Sequence, residues 1–124
     1  MQTRGVRGAI TTTSDNPTEI LSATKELLQA VLSGNPTLKP EDIASAVFTV
    51  TEDIVSVFPA KAAREIGWDQ VPLICMREIP VPGSLPLCIR TLIHWNTNLA
   101  QDEINHIYLR KARSLRPDIK ESLS

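Results

Sequence analysis

Apolar and polar positions change rhythm several times along this chain, and each change marks an element. Thr3 to Thr11 is rich in small and β-branched residues and predicts a strand, with Gly5 and Gly8 leaving room for close backbone approach. From Ile20 the period lengthens. Ile20, Leu21, Thr24, Leu27, Leu28, Val31 and Leu32 fall on one stripe at helical spacing. Asn16 as the cap, Pro17 at the first helical position and Glu19 completing a capping box predict where this helix starts. Gly34, Asn35 and Pro36 predict its end.

A short acidic helical turn, Lys39 to Asp42, leads into a strand from Ala44 to Thr51. Pro59 to Ile66 reads as a second short helix stopped by Gly67. Val71 to Ile79 reads as a strand, with Pro72 confined to its start or to a sheet edge. Pro80, Pro82, Gly83 and Pro86 predict an irregular loop, and Leu87 to Asn96 a long strand. Leu99 to Ile104 echoes Leu38 to Ile43 and predicts another acidic turn, followed by a strand from His106 to Leu115. The echo suggests two related β-α-β halves but is too short to establish a repeat. The pattern is that of an α+β domain with a single mixed sheet and helices on one face. Residues 1–118 form the domain and 119–124 a polar, flexible tail. So few helices can leave one sheet face uncovered. If that face is apolar it must meet another copy, so an oligomer is expected.

A chain of 124 residues suits one domain. The aromatic fraction of 4% means the core is built mainly from Ile, Leu, Val and Ala. Thirteen basic against fourteen acidic residues leave a net charge of -1, which argues against nucleic-acid binding. Cys75 and Cys88 fit no zinc spacing and read as free thiols of a reducing compartment. The start of the chain lacks the apolar run of a signal peptide, and no stretch is long enough to cross a bilayer, so a cytoplasmic protein is expected.

Familiar catalytic signatures are missing from the sequence: no nucleophile elbow, phosphate-binding loop, dinucleotide fingerprint or HExxH zinc motif. His94 and His106 lie far apart and read as structural rather than as metal ligands. What remains is a set of cations within strands. Arg7 sits between Gly5 and Gly8, and Arg90 lies inside Cys88-Ile89-Arg90-Thr91-Leu92-Ile93. A charge in an apolar strand is costly unless paired or ligated; the competing reading is an arginine on a solvated face. Glu78 is the natural partner for such an arginine, or else a surface carboxylate at a strand end. Cys75 and Glu78 have opposite parity. Both reach one pocket only if the strand bends, bulges or ends between them. Trp68 and Trp95 read as packing residues, Cys88 as core, and Arg110, Lys111 and Arg113 as a solvated strand face.

Read in order, five fragments resemble the AroH-class chorismate mutases: Arg4-Gly5-Val6-Arg7-Gly8-Ala9; Val57-Phe58-Pro59-Ala60-Lys61-Ala62-Ala63-Arg64; Val71-Pro72-Leu73; Cys88-Ile89-Arg90; and His106-Ile107-Tyr108-Leu109 with Leu115-Arg116-Pro117-Asp118. The resemblance implies a homotrimer, its sheets packed into a barrel-like core and its active sites between subunits. It implies rearrangement of chorismate to prephenate, a pericyclic step in phenylalanine and tyrosine biosynthesis, with no covalent intermediate, metal or organic cofactor. By resemblance Arg90 is the cation beside the breaking ether bond, and Glu78 and Cys75 meet the ring hydroxyl. Arg7 and Tyr108 hold a substrate carboxylate. Phe58, Ala60, Lys61, Arg64, Leu115 and Arg116 line or close the cleft, some from the other subunit. Ile74, Met76 and Arg77 complete the substrate-binding stretch around Cys75. Ile74 departs from the pattern, being apolar where a hydroxyl residue can occur, so only its backbone can bond a ligand. Cys75 is open to a second reading, as a small inert core thiol.

Two other functions fit the residues less well. One is a trimeric reactive-imine deaminase, which also uses an arginine for a substrate carboxylate. The other is a non-catalytic module for anionic metabolites. Loss of chorismate absorbance separates the first, and binding without turnover the second.

Overall fold

The computed structural model describes residues 1–115. Arg116, the domain boundary at 118 and the tail 119–124 lie outside the described residues. Five strands, β1 (Gln2–Thr11), β2 (Ile43–Val50), β3 (Leu73–Arg77), β4 (Cys88–Thr97) and β5 (Ile107–Tyr108), form one mixed sheet in the order β3-β2-β4-β1-β5. The central strand β4 runs antiparallel to both β1 and β2, while β2–β3 and β1–β5 are parallel pairs. Helices α1 (Pro17–Gly34) and α2 (Ala60–Glu65) complete the α+β architecture.

Alternation decides the two faces. Val6, Ile10, Phe48, Val50, Ile89, Ile93 and Trp95 point to one side and share a buried core with Ile20, Leu27, Leu28 and Val31 of α1 and Ala60 and Ala63 of α2. Both helices therefore cover the same face. Trp68 and Trp95 are buried there as packing residues. Gly8 permits the closest approach: a Cβ at this position would stand 3.1 Å from Leu27 Cδ1 and 3.3 Å from Thr91 Cγ2. Gly5 carries no such demand, since its added Cβ would meet only Leu92 Cδ1 at an ordinary 3.5 Å.

The helix ends follow the sequence with one change. Asn16 Oδ1 accepts the Glu19 N–H at 2.9 Å, and Pro17 opens the helix. The Glu19 carboxylate does not close a capping box; it takes the Ser14 and Thr13 hydroxyls instead. Leu21 and Leu32 are only partly buried at the margins of the stripe, and Ala23 joins its centre. At the far end buried Asn35 donates to Val31 O and Asn105 O and accepts the Asn105 N–H, tying α1 to the segment before β5. Helix α2 ends in a Schellman arrangement. Gly67, at φ 98°, donates to Arg64 O, and Trp68 to Ala63 O.

Two strand predictions are corrected. Val71 to Ile79 shortens to β3 on a sheet edge, with Pro72 just before it supplying a carbonyl to Ala46. His106 to Leu115 is not one strand. Only Ile107 and Tyr108 pair, beside Gly8 and Ala9. Arg110 then adopts φ 56°, and a 3-10 helix occupies Arg110–Leu115. The strand reading rested on alternation alone. What wins is the buried Ala112 together with Arg110, which donates to Thr11 O and pairs with Glu26 of α1 at 2.9 Å. Arg110 is thus a tie to the helix rather than one of a solvated strand face. Among the described residues no helix is long and apolar enough to cross a membrane.

Candidate active site

The face opposite the helices is formed by the alternate residues. Register aligns Met76, Thr49, Arg90, Ala9 and Tyr108 across all five strands, and beside them Ile74, Val47, Leu92 and Arg7 across four. Arg90 therefore stands on the central strand, on the sheet face that α1 and α2 leave open and that the 3-10 helix Arg110–Leu115 covers in part, burying Ala9, Cys88 and Tyr108. Alanine at position 9 keeps its neighbour on β1 small.

The Arg90 side chain is about one-third exposed. Its Nε lies 3.5 Å from Glu78 Oε2, itself one-quarter exposed. That Nε is buried and has no hydrogen-bond partner among the described residues. A buried donor left unmatched costs stability, and such donors are rare away from functional positions. Glu78 is fixed by Thr49, whose hydroxyl donates to Oε2 at 2.5 Å, and by its own N–H to Val50 O at 2.9 Å. Burial pushes the Cys88 thiol up, while the adjacent Arg90 guanidinium pulls the other way by charge and hydrogen bonding. The sheet thus holds a permanent cation between a carboxylate and a neutral thiol.

Cys75 and Glu78 keep the opposite parity that the sequence gives them. Glu78, two residues after Met76, continues the alternation of β3 onto the Arg90 face, its N–H bonded to Val50 O as the next rung beside β2. Cys75 pairs with Phe48 and packs on the core side instead. Arg7 is exposed on the Arg90 face, its N–H held by His106 Nδ1 at 3.0 Å. Tyr108 is buried against Ala9, Cys88 and Ala112, with Leu115 beside them. His94 contacts the Ser45 hydroxyl at 3.0 Å.

The other candidates gather elsewhere. Phe58 is 71% exposed at the mouth of a groove lined also by Val55, Pro59, Cys75, Met76 and Arg77, on the outer β3 edge. Ala60 is buried at the start of α2, with Lys61 and Arg64 exposed on that helix. Ile74 and Met76 are half exposed on the open face. Arg77 is occupied with backbone, donating to Thr51 O and Ile54 O at 2.8 Å each. Within the chain, then, Arg90, Glu78, Arg7, Tyr108 and Leu115 belong to the face opposite α1 and α2, Phe58 and Cys75 line the groove at the β3 edge, and Lys61 and Arg64 stand exposed on α2.

Residues 3–119 match the family chorismate mutase type I. The chain belongs to this family. It is 53% identical over 119 residues to the chorismate mutase AroH of Thermus thermophilus, covering 96% of this chain and 98% of that one. With the chorismate mutase AroH of Bacillus subtilis it shares 47% identity over 120 residues, 96% of this chain and 94% of that one. The solved structure of a chorismate mutase from Clostridium thermocellum superposes with a TM-score of 0.86 at 44% identity, over 89% of this chain and 97% of that one. A chorismate mutase is an isomerase of aromatic amino acid biosynthesis, and that is the activity of this chain.

Reading the sequence of this chorismate mutase missed three neighbours of the Arg90 pair. Thr49 fixes Glu78, Thr51 accepts the Cys88 N–H, and Asp53 accepts the Leu87 N–H. Thr49 had a signal, since it lies on the polar side of an alternating strand. Thr51 and Asp53 lie past the strand end, where periodicity carries no information.

Proposed function

We propose that this chorismate mutase converts chorismate to prephenate by holding the dianion against the open sheet face, with the Arg90 guanidinium at the ether oxygen. In the rearrangement the C–O bond breaks ahead of C–C bond formation, so negative charge grows on that oxygen. A cation already fixed there binds the transition state better than the ground state, which lowers the barrier. Arginine suits this task because its charge is permanent and its donors form a rigid fork. Glu78 meets the ring hydroxyl and holds the fork in place. Arg7 and Tyr108 take a carboxylate. Holding a flexible molecule in a chair-like shape supplies a further part of the rate. The observation that carries this reading is a one-third exposed Arg90 side chain paired only loosely with Glu78, at 3.5 Å, on the face that α1 and α2 leave open.

The second group completes the site from a neighbouring subunit. Phe58 and Cys75 line the groove at the β3 edge and Ala60, Lys61 and Arg64 follow on α2, whereas Arg90 is on the central strand, so one ligand meets both groups best across an interface. A homotrimer, its sheets facing inward as a barrel-like core, provides such clefts. Exposed Ile74, Met76 and Leu92 on the open face support it, as apolar surface that association would bury. Cys75, through its backbone or its thiol, reaches the substrate hydroxyl in that arrangement, and Arg116 closes the cleft. Two free thiols support a cytoplasmic setting.

The test follows chorismate by its ultraviolet absorbance, with native protein and with Arg90→Ala and Arg90→Lys. Native protein consumes chorismate. Arg90→Ala loses about 10²–10³-fold in kcat, the scale of losing one preorganised donor. Arg90→Lys is also poor, because an ammonium cannot reproduce the fork. Near-normal turnover by the lysine variant would refute the role of Arg90.

A further inference from the structure

We infer that Asp53 is a positioning residue for the reaction, acting with Thr51 to set Arg90 and Glu78 against each other. Two successive N–H groups of the chain entering β4 are held by this pair. Asp53 Oδ2 accepts from Leu87 N at 2.9 Å, and Thr51 Oγ1 accepts from Cys88 N at 3.0 Å. The pair is itself joined, the Thr51 hydroxyl donating to Asp53 Oδ1 at 2.5 Å. Thr51 N also donates to Cys88 O at 3.1 Å. Arg90 follows Cys88 by two residues on the same face.

The other end of the latch reaches Glu78. Thr51 directly follows Val50, whose carbonyl holds the Glu78 N–H, and precedes the turn whose carbonyls hold Arg77. The loop from Thr51 to Ile54 therefore fixes both the start of β4 and the end of β3. Leu87 has reason to need it. At φ 51° it sits in the left-handed region that a leucine disfavours. Without an acceptor for its N–H, the backbone is free to relax towards an ordinary conformation, and the guanidinium two turns of the pleat further on moves with it. Asp53 lines one cavity with Glu78, but among the described residues no hydrogen bond or ion pair joins it to Arg90 or Glu78, so its effect on the chemistry runs through the strand.

This inference rests on the reading of Arg90 given above, and the experiment separates the two. Steady-state turnover of chorismate is measured for Asp53→Ala, Asp53→Asn and Thr51→Val, each alone and combined with Arg90→Lys. Asp53→Ala is expected to lower kcat about tenfold, with KM within about twofold, because small displacements of a positioned group act on the transition state. Asp53→Asn keeps an oxygen for the Leu87 N–H and is expected to stay within about threefold of native kcat. Thr51→Val, which removes the link to Cys88, is expected to fall like Asp53→Ala. In the Arg90→Lys background, where no fork remains to be aligned, each change is expected to cost less than about twofold.

Equal fractional losses in both backgrounds would overturn the inference, as would a fall confined to KM or a folded Asp53→Ala at native kcat. If Asp53→Ala does not fold, Thr51→Val decides, and native kcat in that variant overturns the inference. Arg90→Lys turning over at the native rate would instead remove the reading of Arg90 itself.

Discussion

The two faces of one five-stranded sheet obey different rules here. On the helix side most inward positions are apolar, buried Thr91 donates its hydroxyl to Val47 O, and Phe48, Ile89, Ile93 and Trp95 are all but inaccessible. On the other side the same strands carry a guanidinium, a carboxylate held by a threonine, and half-exposed Ile74 and Met76. A single strand illustrates the contrast: β4 alternates Ile89, Thr91 and Ile93 inward with Arg90, Leu92 and His94 outward. The inner face makes the fold and leaves no polar side chain in need of a partner beyond what it has. The outer face keeps a buried guanidinium nitrogen that meets Glu78 only at 3.5 Å with no hydrogen bond among the described residues, an uncommon state in a folded chain. Stability and chemistry are therefore separable by parity, and substitutions can test this.

The largest expected change is on the inner face. Phe48→Ala removes a fully buried ring and is expected to cost about 3–5 kcal/mol in unfolding free energy, read by denaturant titration. Activity of the fraction that stays folded is expected to change far less. On the outer face, Leu92→Ser is expected to leave the subunit's own packing intact, because Leu92 is 39% exposed. Its effect belongs to association: sedimentation at falling concentration is expected to show subunits separating earlier than in the native protein. Unchanged assembly would mean that this face is not the one that associates.

A smaller effect comes from carboxylates remote from both faces. Asp15, Glu19 and Glu65 are each held below their ordinary range, by hydrogen bonds from Ser56, from Ser14 and Thr13, and from Lys25 respectively. The lowered values mean that the folded state binds fewer protons than the unfolded one. Their stabilisation is therefore present above the unfolded carboxylate range and is lost as pH falls through the folded values. Thermal melting is expected to decline modestly below about pH 4–5, and only the share from Glu65, which is paired with the Lys25 cation at the surface, is expected to shrink in high salt.

Much of the inner face was legible in the sequence, because helical and strand periods report burial directly. Asn16 and Pro17 set the start of α1, and Gly67 the end of α2. The second half of His106 to Leu115 was not legible. Its alternation was compatible with a strand, and only the tertiary ties of Arg110 to Thr11 and Glu26 decide against one. On the outer face Arg90 and Glu78 stood out as charges in apolar surroundings, but their meeting depended on the pairing of β2 with both β3 and β4, which one strand's alternation does not report. Cys75 shows the limit most clearly. The family resemblance drew it to the site, and its parity sends its side chain to the core. Asp53 carried no sequence signal, since its importance comes from a leucine in a left-handed conformation far along the chain.

The most direct test of the division between faces is Arg90→Gln, which removes the charge and most of the guanidinium donors while keeping a polar side chain on the strand. kcat/KM for chorismate and the melting temperature are measured on the same preparation. The separation of chemistry from stability predicts a loss of about 10²–10³-fold in kcat/KM. The melting temperature is expected to move by no more than about 4 °C in either direction. Turnover within a few-fold of native, or a loss of turnover that merely follows loss of folded protein, would contradict it.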